Sequence, residues 1–162
     1  HALVLSALEQ LPDVHLLIVG GGPELSALQQ QSAALGLTDR VQFFGNRPQH
    51  ELCRFYSTAD ALVLMSSSEG WPNVVLEAMS CGSAVISTRV GSAEEMLHSD
   101  EVGLLLAERS SAALTDAVKQ CQQRRFDRDQ IRAHASGFSW QQTAEQLNLL
   151  YQQTMAGDPV RG

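Results

Sequence analysis

No lysine precedes Lys119 in this 162-residue chain. Residues 1–118 hold five arginines against fourteen acids, a balance of −9, and residues 119–162 hold six cations against four acids, a balance of +2. A nucleic-acid backbone is held by clustered Lys and Arg, so an acidic body excludes nucleic acid as a partner. The late basic run Lys119, Arg124, Arg125, Arg128, Arg132 lies in Gln-rich polar sequence and reads as a solvated helix face. Cysteine is sparse: Cys53, Cys81 and Cys121 include no CxxC pair, which excludes zinc-site spacing. An odd, scattered set reads as reduced thiols in the cytoplasm. Cys53 and Cys81 fall in apolar helical patterns, where a free Cys is expected to pack as a small hydrophobe. No apolar run approaches the roughly 18 residues that span a bilayer. No basic-then-apolar leader opens the chain, so a secretion signal is not expected.

What remains is ordinary globular composition, 44% hydrophobic and 18% charged. That is too apolar for disorder and enough for one domain's core. Short apolar runs at residues 14–19, 40–44, 61–65, 84–87 and 102–106 read as strands, most of them buried on both faces. Helical patterns alternate with them near 23–35, 48–58, 73–80 and 93–97. Pro23 and Pro48 fit first turns, where no amide donor is needed. Helices alone follow the last strand, at 110–123, 127–135 and 142–155. The alternation predicts an α/β fold, a Rossmann-like doubly wound parallel sheet. One domain is expected over 1–156, with a flexible tail at 157–162. Residues 1–11 read as a helix with Leu3, Leu5, Leu8 and Leu11 as apolar positions. No strand stands ahead of it, so the sheet is expected to lack its first strand. Unpaired edges beside that vacancy would invite swapping or dimerisation.

Ligands of an open parallel sheet sit outside the carboxyl ends of its strands. Two segments at such ends stand out. Gly20-Gly21-Gly22-Pro23 follows a strand and opens a helix, but Leu25 occupies the third glycine position of a dinucleotide fingerprint and no ribose-binding acid follows at the next strand end. Dinucleotide binding is therefore rejected; a tight turn and a direct ligand contact both stay open. In the second, Glu69 leaves a strand on a polar loop, and Glu77 lies on the helix that follows the turn Gly70-Trp71-Pro72. Both acids can face one crevice. Carboxylates suit hydroxyls, a cis-diol above all, while amides near Gly70, Asn73 and Val74 can hold a phosphate. The plainer alternative is that the two acids only complement a helix dipole.

The segment from Glu69 to Met79, followed by Cys81-Gly82-Ser83-Ala84-Val85-Ile86, resembles the paired-glutamate signature of glycosyltransferase family 4, the group 1 enzymes. Leu16-Leu17-Ile18-Val19-Gly20-Gly21-Gly22-Pro23, Val41-Gln42-Phe43-Phe44-Gly45-Asn46, Tyr56-Ser57-Thr58-Ala59-Asp60-Ala61, Val90-Gly91-Ser92-Ala93-Glu94-Glu95, Val102-Gly103-Leu104-Leu105-Leu106, and Phe138-Ser139-Trp140 with Tyr151 are similar to other family segments, in family order. The resemblance implies the C-terminal, donor-binding lobe of a retaining, metal-independent enzyme of GT-B architecture. It implies no cofactor beyond a nucleotide-diphosphate sugar as substrate, and a saccharide or lipid-linked acceptor in polysaccharide or glycoconjugate biosynthesis. Such an enzyme would work in the cytoplasm or at the inner membrane face, the membrane contact coming through its other lobe.

By the same resemblance, Glu69 is the catalytic-site acid on the donor sugar and Glu77 binds the ribose. Gly70, Asn73 and Val74 hold the diphosphate, Asn46 and Arg47 border the base, and Gly21 and Gly22 lie near the donor. Two departures stand out: Pro72 has no N–H to offer, and the family's Arg and Lys for the diphosphate lie ahead of this segment, as does the N-terminal lobe. The segment alone is therefore expected to be inactive. The other readings are a non-catalytic α/β interaction module and a lobe of a sugar-nucleotide epimerase. Retention of both acids speaks against the first, and the lack of a suitable acid and His set against the second. Asp127-Arg128-Asp129 matches a metal-binding DxD but reads as a helix start. His15, His50, His98 and His134 lack a ligand partner at i+4 and read as surface or satisfied histidines. Trp71 either stacks on a ligand or packs over the signature helix. Glu94 and Glu95 read as a helix start.

Overall fold

A computed structural model describes residues 1–138 together with 144, 148, 149, 151 and 152. Its elements run α1 (Ala2–Leu8), β1 (Leu16–Val19), α2 (Leu25–Ala34), β2 (Val41–Gly45), α3 (Gln49–Thr58), β3 (Ala61–Leu64), α4 (Asn73–Ser80), β4 (Ala84–Thr88), α5 (Ala93–Met96), β5 (Gly103–Leu106), α6 (Ser111–Gln123) and α7 (Arg128–Ser136). Every expected strand and helix through α7 is present, with ends shifted by one or two residues except at α1, which closes at Leu8 and not Leu11. Of the helix expected at 142–155, only the five later described positions can be stated; all are helical. Ser139, Trp140 and the tail at 157–162 lie outside the described residues.

Among the described residues all strand pairs are parallel, but they form two sheets: β1 with β2, and β3-β4-β5 in that order. Side chains of successive strand residues leave on opposite faces, and β4 shows it. Ile86 enters a cluster with Leu5, Leu8, Ile18, Leu28, Leu106 and Leu114, beneath α1, α2 and α6. Val85 enters another with Val75, Met79, Met96 and Ile131, beneath α4, α5 and α7. The first cluster draws on both sheets; the second lies on the three-stranded sheet alone.

One departure concerns β3. β4 is buried at all five positions, as a two-faced strand should be. β3, expected to match it, is only half-buried throughout. Among the described residues β3 pairs on one edge only, and so does β1. Two smaller corrections are local. Pro48 is the N-cap of α3 with extended ψ of 150°, not a first-turn residue. Pro23 lies ahead of α2 altogether. The start of β2 is anchored by Arg40, whose guanidinium donates to the carbonyls of Leu8 (3.2 Å) and Leu11 (2.6 Å) at the end of α1. A cation there meets carbonyls that have no helical partner.

Candidate functional site

The chain leaves β3 at Met65 and enters the loop that carries Glu69. Three bonds from neighbouring strand ends clamp that loop. Thr88 Oγ1, closing β4, donates to the Ser66 carbonyl at 2.8 Å. Arg109 Nε, beyond β5, donates to the Met65 carbonyl at 2.8 Å. The Ser92 N–H donates to the Gly70 carbonyl at 3.1 Å. Gly91 completes the clamp: at φ +51°, a Cβ there would lie 2.1 Å from the Gly70 oxygen, so no other residue fits. On this platform the exposed Glu69 accepts a 2.7 Å bond from Ser66 Oγ. Ser66 also walls a cavity of about 250 Å³ shared with Thr88, Val90, Leu106 and Arg109.

Past Gly70 the chain turns through Pro72, the buried N-cap of α4, which has no side-chain capping bond. The N–H groups of Asn73 and Val74 open the helix, and both residues are exposed. First-turn amides have no carbonyl of their own helix to bond, so they face outward as donors. Glu77 sits half-buried one turn further on. Its Oε2 accepts from Tyr56 Oη at 3.1 Å, and its Oε1 accepts from Gln49 Nε2 at 3.5 Å. Burial, then the Glu77 charge, push the Tyr56 phenol well above its ordinary value. Trp71, beside the start of α4, is 47% exposed.

The ends of β1 and β2 approach from the other sheet. Gly20 and Gly45 bridge across them, and Gly22 follows at φ +151°. A Cβ on Gly21 would lie 3.0 Å from Asn46 Oδ1, so the glycine lets Asn46 lie against the turn. Arg47 turns back on its own loop, donating to the Phe44 carbonyl at 3.1 Å and lying 3.8 Å from Glu51. Gln49, two residues on, carries this loop to Glu77. The fold thus brings Gly21 to Asn46, the Asn46–Arg47 loop to Glu77, and Gly70 to Gly91. No side-chain bond joins Glu69 to Glu77 among the described residues; they stand at either end of the Gly70–Val74 turn.

Four residues that support the site carried no signal of that role in the sequence. Tyr56 and Gln49 reach Glu77 across helices, from 21 and 28 positions away. Thr88 and Arg109 act on main-chain carbonyls, and no motif records such contacts. Other readings resolve cleanly. Asp127 caps α7, accepting from the amides of Asp129 and Gln130. Glu94 and Glu95 occupy the first turn of α5, Glu94 paired with Arg89. The His98 and His134 rings lie 4.6 Å apart, tilted by 43°, and each meets a main-chain carbonyl. The basic run is not merely a solvated face. Arg128 donates to the Ser57 and Ala59 carbonyls, and Arg132 to that of Cys81, tying α7 to α3 and α4. Cys53, expected to pack, is exposed, because α3 buries none of its residues.

The family model described as "Glycosyl transferases group 1" matches residues 1–153. A D-inositol 3-phosphate glycosyltransferase from Mycobacteroides abscessus is 34% identical over 162 residues, covering 95% of this chain and 36% of that protein. The chain therefore spans about a third of the length of the curated relatives it matches. Sucrose-phosphate synthase from Thermosynechococcus elongatus superposes with a TM-score of 0.82 at 28% identity, over 97% of this chain and 42% of that one. Anabaena HepE, solved in complex with UDP and glucose, superposes with a TM-score of 0.78 at 29% identity, over 90% of this chain and 44% of that one.

Proposed function

The chain belongs to the group 1 glycosyltransferases, and from that premise we propose that it is the donor-binding, C-terminal lobe of a retaining, metal-independent family 4 enzyme. The observation that carries this is the mouth of α4. An uncapped helix start lies between a loop carboxylate, Glu69, and a half-buried carboxylate, Glu77, held by Tyr56 and Gln49. The amides at Asn73 and Val74, with the helix dipole behind them, take the diphosphate. Glu77 accepts the ribose diol; a carboxylate has lone pairs to spare beside the Tyr56 bond. Glu69 takes hydroxyls of the donor sugar, with Ser66 fixing its orientation. Gly70 gives that turn room, Gly21, Gly22 and Asn46 border the donor, and Arg47 contributes main chain to the base side. HepE bound UDP and glucose, and a nucleotide-diphosphate sugar is the donor class proposed here.

The acceptor site, and the cations that meet the departing diphosphate, would lie on an N-terminal lobe and on a strand preceding α1. The gap between β1 and β3 would seat that strand. Chemistry requires both lobes, because charge must be neutralised and the acceptor oriented in one closed site. No helix among the described residues is long and apolar enough to cross a membrane; work in the cytoplasm or at its membrane face fits this reading.

NMR or thermal-shift titration with UDP, GDP and ADP tests the proposal on the chain and its Glu77→Ala variant. At least one nucleotide is expected to shift the wild type, with the response lost in the variant. An identical response in both would remove Glu77 from the site. No response to any of the three would overturn the donor-binding reading.

A further inference from the structure

The two oxygens of the Glu77 carboxylate are held by unequal partners. Oε2 takes the Tyr56 hydroxyl at 3.1 Å, and Tyr56 is itself anchored on two sides. Its ring packs against the cluster that holds Val75, Ala78, Met79 and Ile131. Just past it, Arg128 of α7 reaches the open end of α3, donating to the Ser57 carbonyl at 2.7 Å and to the Ala59 carbonyl at 2.8 Å. The last carbonyl of α3 bonded within the helix turn is that of Phe55, so the guanidinium serves acceptors that the helix leaves unused. Burial, then the Glu77 charge, keep the phenol protonated through neutral pH, so it stays a donor. Oε1 is held more loosely. Its partner, Gln49 Nε2, is 3.5 Å away, at the long limit of a hydrogen bond, and Gln49 is exposed. Packing at position 56 needs only the ring; the hydroxyl adds a directed bond to one chosen oxygen. A glutamate free to sample several rotamers loses that freedom on gripping a ligand, which weakens binding, whereas a carboxylate ordered beforehand does not.

We propose that Tyr56 is the positioning residue for ribose recognition: it pins Glu77 Oε2 so that Oε1 stays turned to the cleft, where an incoming cis-diol displaces Gln49. Tyr56 touches no substrate atom and acts through Glu77 alone. One lone pair of Oε2 remains beside the Tyr56 bond, so the carboxylate still offers an acceptor to each hydroxyl of the diol. The weak Gln49 contact yields to a charge-assisted bond from the ligand, which is the stronger of the two. The inference rests on the ribose reading of Glu77 and adds to it the residue that sets the preference for a diol. It also gives α7 a part in the site, because Arg128 fixes the end of the helix that carries the phenol.

Calorimetric titration of the 162-residue chain with UDP, GDP and ADP, each compared with its 2′,3′-dideoxy form, reads that preference directly. For a nucleotide that binds, the wild type is expected to favour the ribo form by about tenfold or more, and Glu77→Ala to lose the preference. Tyr56→Phe keeps the ring and is expected to bind the ribo form about five- to tenfold more weakly, with its affinity for the dideoxy form unchanged. Because the phenol acts through Glu77, adding Tyr56→Phe to Glu77→Ala is expected to change nothing further. Equal weakening of both forms by Tyr56→Phe would make the residue merely structural and overturn the inference. A preference that Glu77→Ala abolishes and Tyr56→Phe leaves intact would overturn it too, with the ribose reading untouched. A wild type that binds both forms alike, or binds none of the three nucleotides, removes the ribose reading and this inference with it.

Discussion

Tyr56 shows how much one hydroxyl at the α3–α4 contact governs. Its phenol titrates above its ordinary value of 10.0 because burial disfavours the phenolate and Glu77 repels it. The folded chain therefore keeps a proton that the unfolded chain has released. The associated stability is fully present below about pH 10 and is lost as pH climbs toward the folded value. In thermal melts at stepped pH, Tyr56→Phe is expected to flatten the alkaline decline and to cost about 1 kcal/mol at neutral pH for the lost hydrogen bond. Gly91 is the opposite kind of residue, one that matters for what it lacks. Gly91→Ala forces a Cβ into the Gly70 carbonyl and holds alanine at φ +51°. A loss of about 1–3 kcal/mol is expected, and the largest NMR shifts should fall on Ser66 to Gly70 rather than on α5. At this scale the sequence exposed the two acids and the glycine turn, because their spacing along one stretch of chain places them at one helix mouth. It hid Tyr56, Gln49, Thr88 and Arg109, whose contacts cross between elements far apart in the chain.

The helices were legible wherever their ends are written locally. Ser110 accepts from the Ala113 amide and Asp127 from two amides, so α6 and α7 each open on a side-chain cap. α7 is more than a satellite, since Ile131 and Ala135 lie in the cluster beneath α4. Asp127→Ala is therefore expected to cost about 1 kcal/mol and to lower the melting temperature by about 2–4 °C, the range for a domain of this size. Two errors of expectation arise from the same source. The sequence makes the basic residues of α7 a solvated face and Cys53 a packed one, because helical periodicity gives the apolar face but not what is laid against it. α3 reads as amphipathic yet buries no residue, and Arg128 spans to its final turn instead of facing water.

At the scale of the molecule, the described strands fall into a parallel pair, β1-β2, and a parallel triplet, β3-β4-β5, rather than one continuous sheet. The alternation of apolar runs made the parallel α/β architecture readable. The half-burial of β3 was not readable, because exposure of a strand depends on its neighbours in the sheet and not on its own residues. Strands open on one edge lack part of the protection that pairing confers. In native-state hydrogen exchange, amides of β1 and β3 are expected to exchange faster than those of β4; equal protection would mean that their open edges are covered in solution. The apolar cluster beneath α1, α2 and α6 nonetheless takes Ile18 from one sheet and Ile86 and Leu106 from the other. What the main chain leaves severed, side chains weld: unfolding either half strips the other's oily lining, so heat should melt both sheets in a single cooperative step.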